Sequence, residues 1–288
     1  MTPSRRTRWF RRSLLFLCVA PIALYAIVVA AFFFAQRWLI FIPAHEVERT
    51  PAAYGATFEE LWLESGRDPG TGHAQRINGW WLPAAPDSPA ILLLHGNGRT
   101  IGDMAEHGAR LVQLGYAVLV IDYRGYGRSD GDAPSEATLY ADAQAAWQRL
   151  RELAPDPRKR YVYGHSLGGA VAIEVAVRNA DVAGVIVESS FASLADLMRW
   201  APVMRLLPLD WLLRERFDSA AKLPALGKPI LLLHGEADEF VPAYMSDRLY
   251  AAARPPKTLV KIPGANHSDI AAVAPQRYAA ALREFVTR

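Results

Sequence analysis

The chain has 288 residues, 51% of them hydrophobic, and its 32 Lys and Arg against 29 Asp and Glu give a net charge of +3. That length suits one large α/β domain with an N-terminal extension better than two full domains. Arg5, Arg6, Arg8, Arg11 and Arg12 fall in the first twelve residues; the remaining 27 basic residues face 29 acidic ones, so the basic excess belongs to the extension and excludes a nucleic-acid-binding domain.

The 22 residues from Leu14 to Ala35 carry no charge, which is about what a helix needs to cross a ~30 Å hydrocarbon core. The arginines before this run favour a cytoplasmic N-terminus and place the rest of the chain across the membrane, in a bacterium the periplasm. A cleaved signal peptide is the competing reading. The apolar run is long for that, and only a poor site after Ala30 offers itself, so an uncleaved anchor is favoured. The expected organisation is a basic tail over residues 1–13 and a single-pass inner-membrane anchor over 14–36. A connector over 37–57, interrupted by Pro43 and Pro51, then lies near the membrane surface. Arg37, Trp38 and Phe41 read as an interfacial girdle. Cys18, the only cysteine, sits inside the apolar run, so the folded domain has no disulfide, no thiolate metal site and no cysteine nucleophile.

Residues 58–288 form the predicted folded domain. Phe58 to Leu63 and Arg76 to Leu82 read as a strand pair joined through the turn residues Gly66 to Gly72. Six short apolar runs follow: Ala90 to Leu94, Ala117 to Ile121, Arg160 to Tyr163, Val182 to Val187, Pro229 to Leu233 and Thr258 to Ile262. Such runs fit strands buried on both faces of a parallel sheet. Helical patterns alternate with them at Ile101 to Leu114, Ser135 to Leu153, Leu167 to Arg178, Ala243 to Ala253 and Ala271 to Val286. The alternation predicts a doubly wound α/β sheet with a hairpin in front. About forty residues separate the fourth run from the fifth. Ala192 to Leu207 and Asp210 to Arg216 look there like short amphipathic helices, and residues 191–222 read as a small helical cap.

Open parallel sheets bind ligands at the carboxyl ends of their strands. Three runs end in residues suited to acyl transfer. Tyr163-Gly164-His165-Ser166-Leu167-Gly168 has the strand, sharp turn and helix of a nucleophile elbow, G-x-S-x-G. Leu233-His234-Gly235-Glu236-Ala237-Asp238 supplies an acid, and Ile262-Pro263-Gly264-Ala265-Asn266-His267 a base. Ser166 would be the nucleophile, His267 its general base and Asp238 the carboxylate that orients the imidazole. Glu236, Glu239 and Asp269 are the fallback acids. His165 occupies the variable position of the elbow and packs locally; His45, His73 and His107 have no supporting motif. An oxyanion needs two preorganised donors. The Leu167 N–H follows the nucleophile, and the Asn97 N–H lies in the glycine-flanked stretch His95-Gly96-Asn97-Gly98. Arg124, in Asp122 to Ser129, is expected to pair with Asp122 or a neighbouring carboxylate. No nucleotide-binding glycine motif and no metal-ligand spacing is present, and no cofactor is implied.

Together with Glu188-Ser189-Ser190-Phe191, these motifs resemble the α/β-hydrolase superfamily over Phe58 to Arg288. More closely they resemble its membrane-anchored α/β-hydrolase-domain proteins, related to serine aminopeptidase-like hydrolases. The resemblance implies an eight-stranded, mostly parallel sheet with a cap after the sixth strand, and a Ser-His-Asp triad. The expected function is a serine hydrolase of carboxylic esters, with acyl or lipid-derived substrates suggested by the anchor and the apolar cap. A thioesterase or a peptidase uses the same triad; Glu188 and Glu236 are the candidate anchors for a substrate amino group. From a different class stands a non-catalytic, membrane-tethered binding protein on a hydrolase scaffold.

Overall fold

Strands that are apolar at every position can be satisfied only between two layers of helices, and the sheet is built that way. The computed structural model describes residues 5–68, 70–131 and 134–286; residues 1–4 of the basic tail and the last two of the predicted domain lie outside the described residues. The long N-terminal helix α1 (Arg5–Ile40) is followed by β1 (Glu59–Arg67), β2 (Ala74–Leu82) and β3 (Ala90–Leu94). Then come α2 (Ala105–Gln113), β4 (Ala117–Ile121), α3 (Glu136–Leu153), β5 (Arg160–His165), α4 (Leu167–Arg178) and β6 (Gly184–Glu188). An insertion carries α5 (Leu194–Met198), a 3-10 turn (Pro202–Leu206), α6 (Leu209–Leu212) and α7 (Ser219–Lys222). The fold closes with β7 (Ile230–Gly235), α8 (Tyr244–Ala252), β8 (Lys257–Ile262), α9 (Ile270–Val273) and α10 (Pro275–Val286).

The eight strands form one sheet in the order β1-β2-β4-β3-β5-β6-β7-β8. β1 pairs antiparallel with β2 and β2 with β4, whereas every pairing from β4 through β3 to β8 is parallel. Strand periodicity divides the core in two. Ile91, Leu93, Val118, Val120, Tyr163, Ile186 and Leu231 face α2 and α10. Leu92, Leu94, Leu119, Ile121, Val162, Val187 and Leu232 face α3, α4 and α8. Parallel pairing also aligns the carboxyl ends of β3, β5, β7 and β8, which carry the motif residues.

The departures from the sequence reading have local causes. The predicted helix from Ala192 to Leu207 is broken after Met198, because Pro202 lacks the N–H that a continuing helix would donate to the Met198 carbonyl. Pro275 likewise divides the C-terminal helix into α9 and α10. The helix expected from Ile101 begins at Ala105, after a turn in which the Asp103 carboxylate accepts the Thr100 N–H at 2.8 Å. At the other end of the chain α1 continues to Ile40, beyond the anchor boundary expected at residue 36. Phe41 is not an interfacial residue: it is buried, edge-on to Phe217 of the insertion, with ring centroids 6.1 Å apart. Tertiary partners from the insertion override the local apolar pattern there. The Gln36 amide donates to the Leu212 carbonyl at 3.2 Å and accepts the Arg214 N–H at 2.7 Å.

Arg124 pairs with Asp142 rather than with Asp122. Its Nε donates to Asp142 Oδ1 at 2.7 Å and its backbone N–H to Oδ2 at 2.8 Å, and Ser65 donates to the same buried carboxylate. Burial pushes the Asp142 carboxyl up, against the pull of Arg124. Breaking one side of such a pair leaves an uncompensated buried charge. Arg124→Ala is therefore expected to cost about 3 kcal/mol of unfolding free energy. Chemical denaturation checks this; an unchanged midpoint would contradict the assignment.

Candidate active site

The nucleophile candidate sits where β5 turns into α4. Ser166 has φ 55° and ψ −120°, a conformation sparsely populated by residues with a side chain. Its neighbours hold it there. The Ser166 N–H donates to the Glu188 carbonyl at 2.9 Å, and its own carbonyl accepts from the Gly169 N–H at 2.9 Å and the Ser190 hydroxyl at 2.7 Å. The turn is tight enough to require glycine. A Cβ on Gly164 would overlap the Gly168 carbonyl, and one on Gly168 would overlap the Leu94 carbonyl at the end of β3. Leu167 opens α4, so its N–H has no partner one helical turn earlier.

The acid and base candidates come from the loops after β7 and β8, and hydrogen bonds stitch these loops together. The Ala237 N–H donates to the Ala265 carbonyl at 2.9 Å, and the Glu239 N–H to the Asn266 side chain at 3.1 Å. The side chains meet as the sequence predicted: His267 Nδ1 lies 2.8 Å from Asp238 Oδ2. The other carboxylate oxygen of Asp238 accepts the N–H groups of Phe240 at 2.9 Å and Val241 at 2.8 Å. Burial would raise the Asp238 carboxyl. Hydrogen bonds from His234, His267 and the Val241 N–H outweigh burial and hold it well below the usual carboxylate range. The fallback acids are engaged elsewhere or exposed. Asp269 accepts the Asn266 N–H at 2.6 Å, and Glu236 and Glu239 point to solvent.

Two histidines of the motifs have supporting roles that sequence reading missed. His234 is fully buried, with Nε2 3.3 Å from Asp238 Oδ2 and 2.9 Å from the Val241 carbonyl. Its place four residues before Asp238 was visible, but its contact depends on the curl of the loop. His165 Nε2 meets the His267 backbone carbonyl at 2.8 Å, and the two rings pack edge-on with centroids 4.9 Å apart. Burial first, and then the neighbouring His267, lower His165 to about 3, so its ring positions the loop as a neutral group.

The loop after β3 approaches the elbow closely: a Cβ on Gly96 would stand 3.0 Å from Ser166 Cβ. The Asn97 N–H donates to no group among the described residues. The Asn97 side chain is instead engaged at both its nitrogen and its oxygen. Its Nδ2 donates to the Ile40 carbonyl at 2.6 Å, and its Oδ1 accepts the Ile42 N–H at 3.0 Å and the Tyr126 hydroxyl at 2.8 Å. Asn97 therefore clamps the loop beside Ser166 to the chain leaving α1. Below the loop, burial lowers His95 to about 4 and raises Asp122 to about 7, so the two meet at 3.5 Å as neutral groups over the intervening pH range rather than as an ion pair.

Glu188, expected as a possible anchor for a substrate amino group, is buried beneath the elbow and takes the Tyr163 hydroxyl. Tyr163 in turn meets Tyr278 at 3.2 Å, and Tyr278 meets His107 Nε2 at 3.0 Å. These partners come from four separate elements, so no spacing in the sequence announced the network.

A serine on a strained elbow, a histidine–carboxylate pair from the next two strand ends and a glycine loop against the serine define the α/β-hydrolase class. The comparisons with known proteins agree. Residues 85–221 match the family model for serine aminopeptidase, S33. The uncharacterised protein Rv2307c of Mycobacterium tuberculosis is 36% identical over 275 residues, covering 93% of this chain and 94% of that one. The lysophosphatidylserine lipase ABHD12 of Danio rerio is 35% identical over 190 residues, covering 59% of this chain and 49% of that protein. Among solved structures, the Pyrococcus furiosus esterase Pf2001 superposes with a TM-score of 0.70 at 20% identity, covering 86% of this chain and 97% of the esterase. The alpha/beta hydrolase domain-containing protein WAV2 of Arabidopsis thaliana is 30% identical over 258 residues, covering 81% of this chain and 82% of that one, and the chain belongs to the α/β-hydrolase superfamily.

Burial raises Glu188 to about 7, against the pull of the Tyr163 hydrogen bond. Its folded value exceeds its ordinary value of 4.5, so the stability it contributes is complete below 4.5 and is lost as pH rises through about 7. Unfolding free energy measured between pH 4 and 8 should fall with pH in this window, and less steeply in Glu188→Gln. Equal slopes would contradict the assignment.

Proposed function

We propose that the protein is a membrane-anchored serine hydrolase of carboxylic esters, with Ser166 as nucleophile, His267 as general base and acid, and Asp238 as the orienting carboxylate. The observation that carries the reading is the 2.8 Å contact between His267 Nδ1 and Asp238 Oδ2 in the same loop cluster as the strained Ser166. An ionised Asp238 accepts the Nδ1 proton and leaves Nε2 as the basic nitrogen of the imidazole. Ser166 Oγ then attacks the ester carbonyl carbon while its proton passes to Nε2. The oxyanion of the tetrahedral intermediate accepts the N–H groups of Leu167 and Asn97. Collapse breaks the bond to the alkoxy oxygen, which leaves with the proton from Nε2, and Ser166 remains acylated. Water repeats the sequence and releases the carboxylic acid.

Two further features support the finer points of the reading. The segment Val19–Ile40 of α1 is long and apolar enough to cross a membrane and is little buried, which suits an anchor with the catalytic domain on the extracytoplasmic side. Of the two amino-group anchors that a peptidase reading invoked, Glu188 is occupied by Tyr163 and Glu236 points to solvent, which favours a lipid-derived ester over a peptide. The similarity to a lysophosphatidylserine lipase points the same way. The insertion between β6 and β7 is read as the cap.

Hydrolysis of p-nitrophenyl esters from acetate to palmitate tests the assignment. Ser166→Ala is expected to lower kcat by at least about 10³-fold. Asp238→Asn, which permits the wrong imidazole tautomer, should cost up to about 10⁴-fold. Ester turnover that survives Ser166→Ala would refute the mechanism. Asn97→Ala keeps the backbone N–H but frees its loop from Ile40 and Tyr126. It should reduce kcat by roughly 10- to 100-fold, less than the loss of an oxyanion donor itself, with KM little changed. An unaltered kcat would show that the clamp has no part in catalysis.

A further inference from the structure

The anchor helix and the insertion enclose a groove that the ester chemistry leaves unexplained. It has a volume of about 460 Å³ and is walled by Leu24, Val28 and Phe32 of α1 and by Val203, Met204 and Leu207 of the insertion. Leu24, Val28 and Phe32 recur at the spacing of one helix face. The polar group in this wall, the Tyr25 hydroxyl, is spent on the Leu206 carbonyl at 2.8 Å. The Tyr25 hydrogen is therefore unavailable, and a polar ligand would lose hydration in a groove otherwise walled by apolar side chains.

Depth decides the occupant. Counted from Ser13, the first residue after the arginines, 20 residues at 1.5 Å each exhaust a hydrocarbon core of about 30 Å near Phe32. Along the helix axis Tyr25 and the Leu206 turn bonded to it lie about 10 Å short of Phe32 and about 22 Å short of Ile40, the end of the apolar segment, so either boundary leaves them at hydrocarbon depth. The surface of the insertion fits this level. Val203 and Leu206 are 65% and 70% exposed, an apolar pair that costs free energy in water and none in hydrocarbon. Trp200 and Trp211, also exposed, suit the headgroup boundary. At that depth the surrounding solvent is acyl chain.

We propose that the groove between α1 and the insertion binds one hydrocarbon chain of a membrane lipid, with the insertion embedded in the bilayer beside the anchor. This rests on the membrane-anchor reading and deepens the substrate class to esters that carry a long alkyl chain. The same helix continues from Phe32 to Ile40, about 12 Å further along its axis, where Asn97 clamps the loop beside Ser166. The groove and the clamp on the Asn97 loop thus lie on one helix.

The test uses the full chain with Cys18→Ser, in phosphatidylcholine–phosphatidylglycerol vesicles containing a phosphatidylcholine spin-labelled in mid-chain. A fluorophore is attached at Leu206→Cys or, as the control on an exposed loop, at Arg158→Cys. Quenching at position 206 should exceed that at 158 several-fold. Val28→Trp, which fills the groove, should reduce the quenching at 206, and Val28→Ala, which widens it, should preserve it. Equal quenching at 206 and 158 would overturn the embedding. Quenching at 206 that is indifferent to Val28→Trp would mean contact with bulk lipid alone and would overturn the groove site. None of these readouts depends on Ser166. Failure of the hydrolase reading would appear instead in the p-nitrophenyl ester assay.

Discussion

A serine held at φ 55° is the constraint from which the rest of the site follows. Such a conformation costs on the order of 1–3 kcal/mol and persists only where its surroundings fix it. Here the parallel sheet does so. β3 passes so close to the turn that only glycine fits at 168, while the carbonyl of Glu188 on β6 and the hydroxyl of Ser190 after it take up the backbone groups of Ser166. The reward is positional. Ser166 stands at the start of α4, with the unsatisfied N–H groups and positive dipole end of that helix directed at the same space.

Around that fixed point the second requirement is electrostatic. Asp238 stays ionised although its side chain is removed from solvent, because two backbone N–H groups and two imidazoles face it. His165 and His95 go the other way: burial keeps both neutral, and they act through shape and hydrogen bonding. Of the two imidazoles that face Asp238, His267 is the one whose Nδ1 meets the carboxylate at 2.8 Å, and it is the base of the proposed mechanism. The anchor helix belongs to the same framework. Tyr25, Gln36 and Ile40 tie it to the insertion and to the Asn97 loop, so the apolar helix also borders the loop beside Ser166.

Much of this was legible in the sequence, for identifiable reasons. β3 and β4 could be bounded to the residue because a buried parallel strand is apolar throughout and its ends are polar or turn-forming. The elbow could be read because steric necessity writes glycine into the chain at 164 and 168. Strand order placed an acid in the loop after β7, with Glu236 and Glu239 as fallbacks beside Asp238, and the pairing of β7 with β8 brings that loop to His267. What escaped was set by contacts between distant segments. The clamp of Asn97 on Ile40, the support of Asp238 by His234, and the Glu188–Tyr163–Tyr278–His107 network depend on how loops curl over the sheet. Phe41 was misplaced because an aromatic beside an apolar run reads the same whether it meets a lipid headgroup or Phe217.

The central claim is that Ser166 is a nucleophile made reactive by its surroundings. The most direct measurement is mass spectrometry of the full chain after treatment with a fluorophosphonate, which phosphonylates activated serines. The account predicts one adduct, on the peptide containing Ser166, abolished by prior denaturation and strongly slowed in Asp238→Asn. An unmodified Ser166 in the folded protein, or an adduct on another serine, would contradict it and leave the fold as a scaffold without this chemistry.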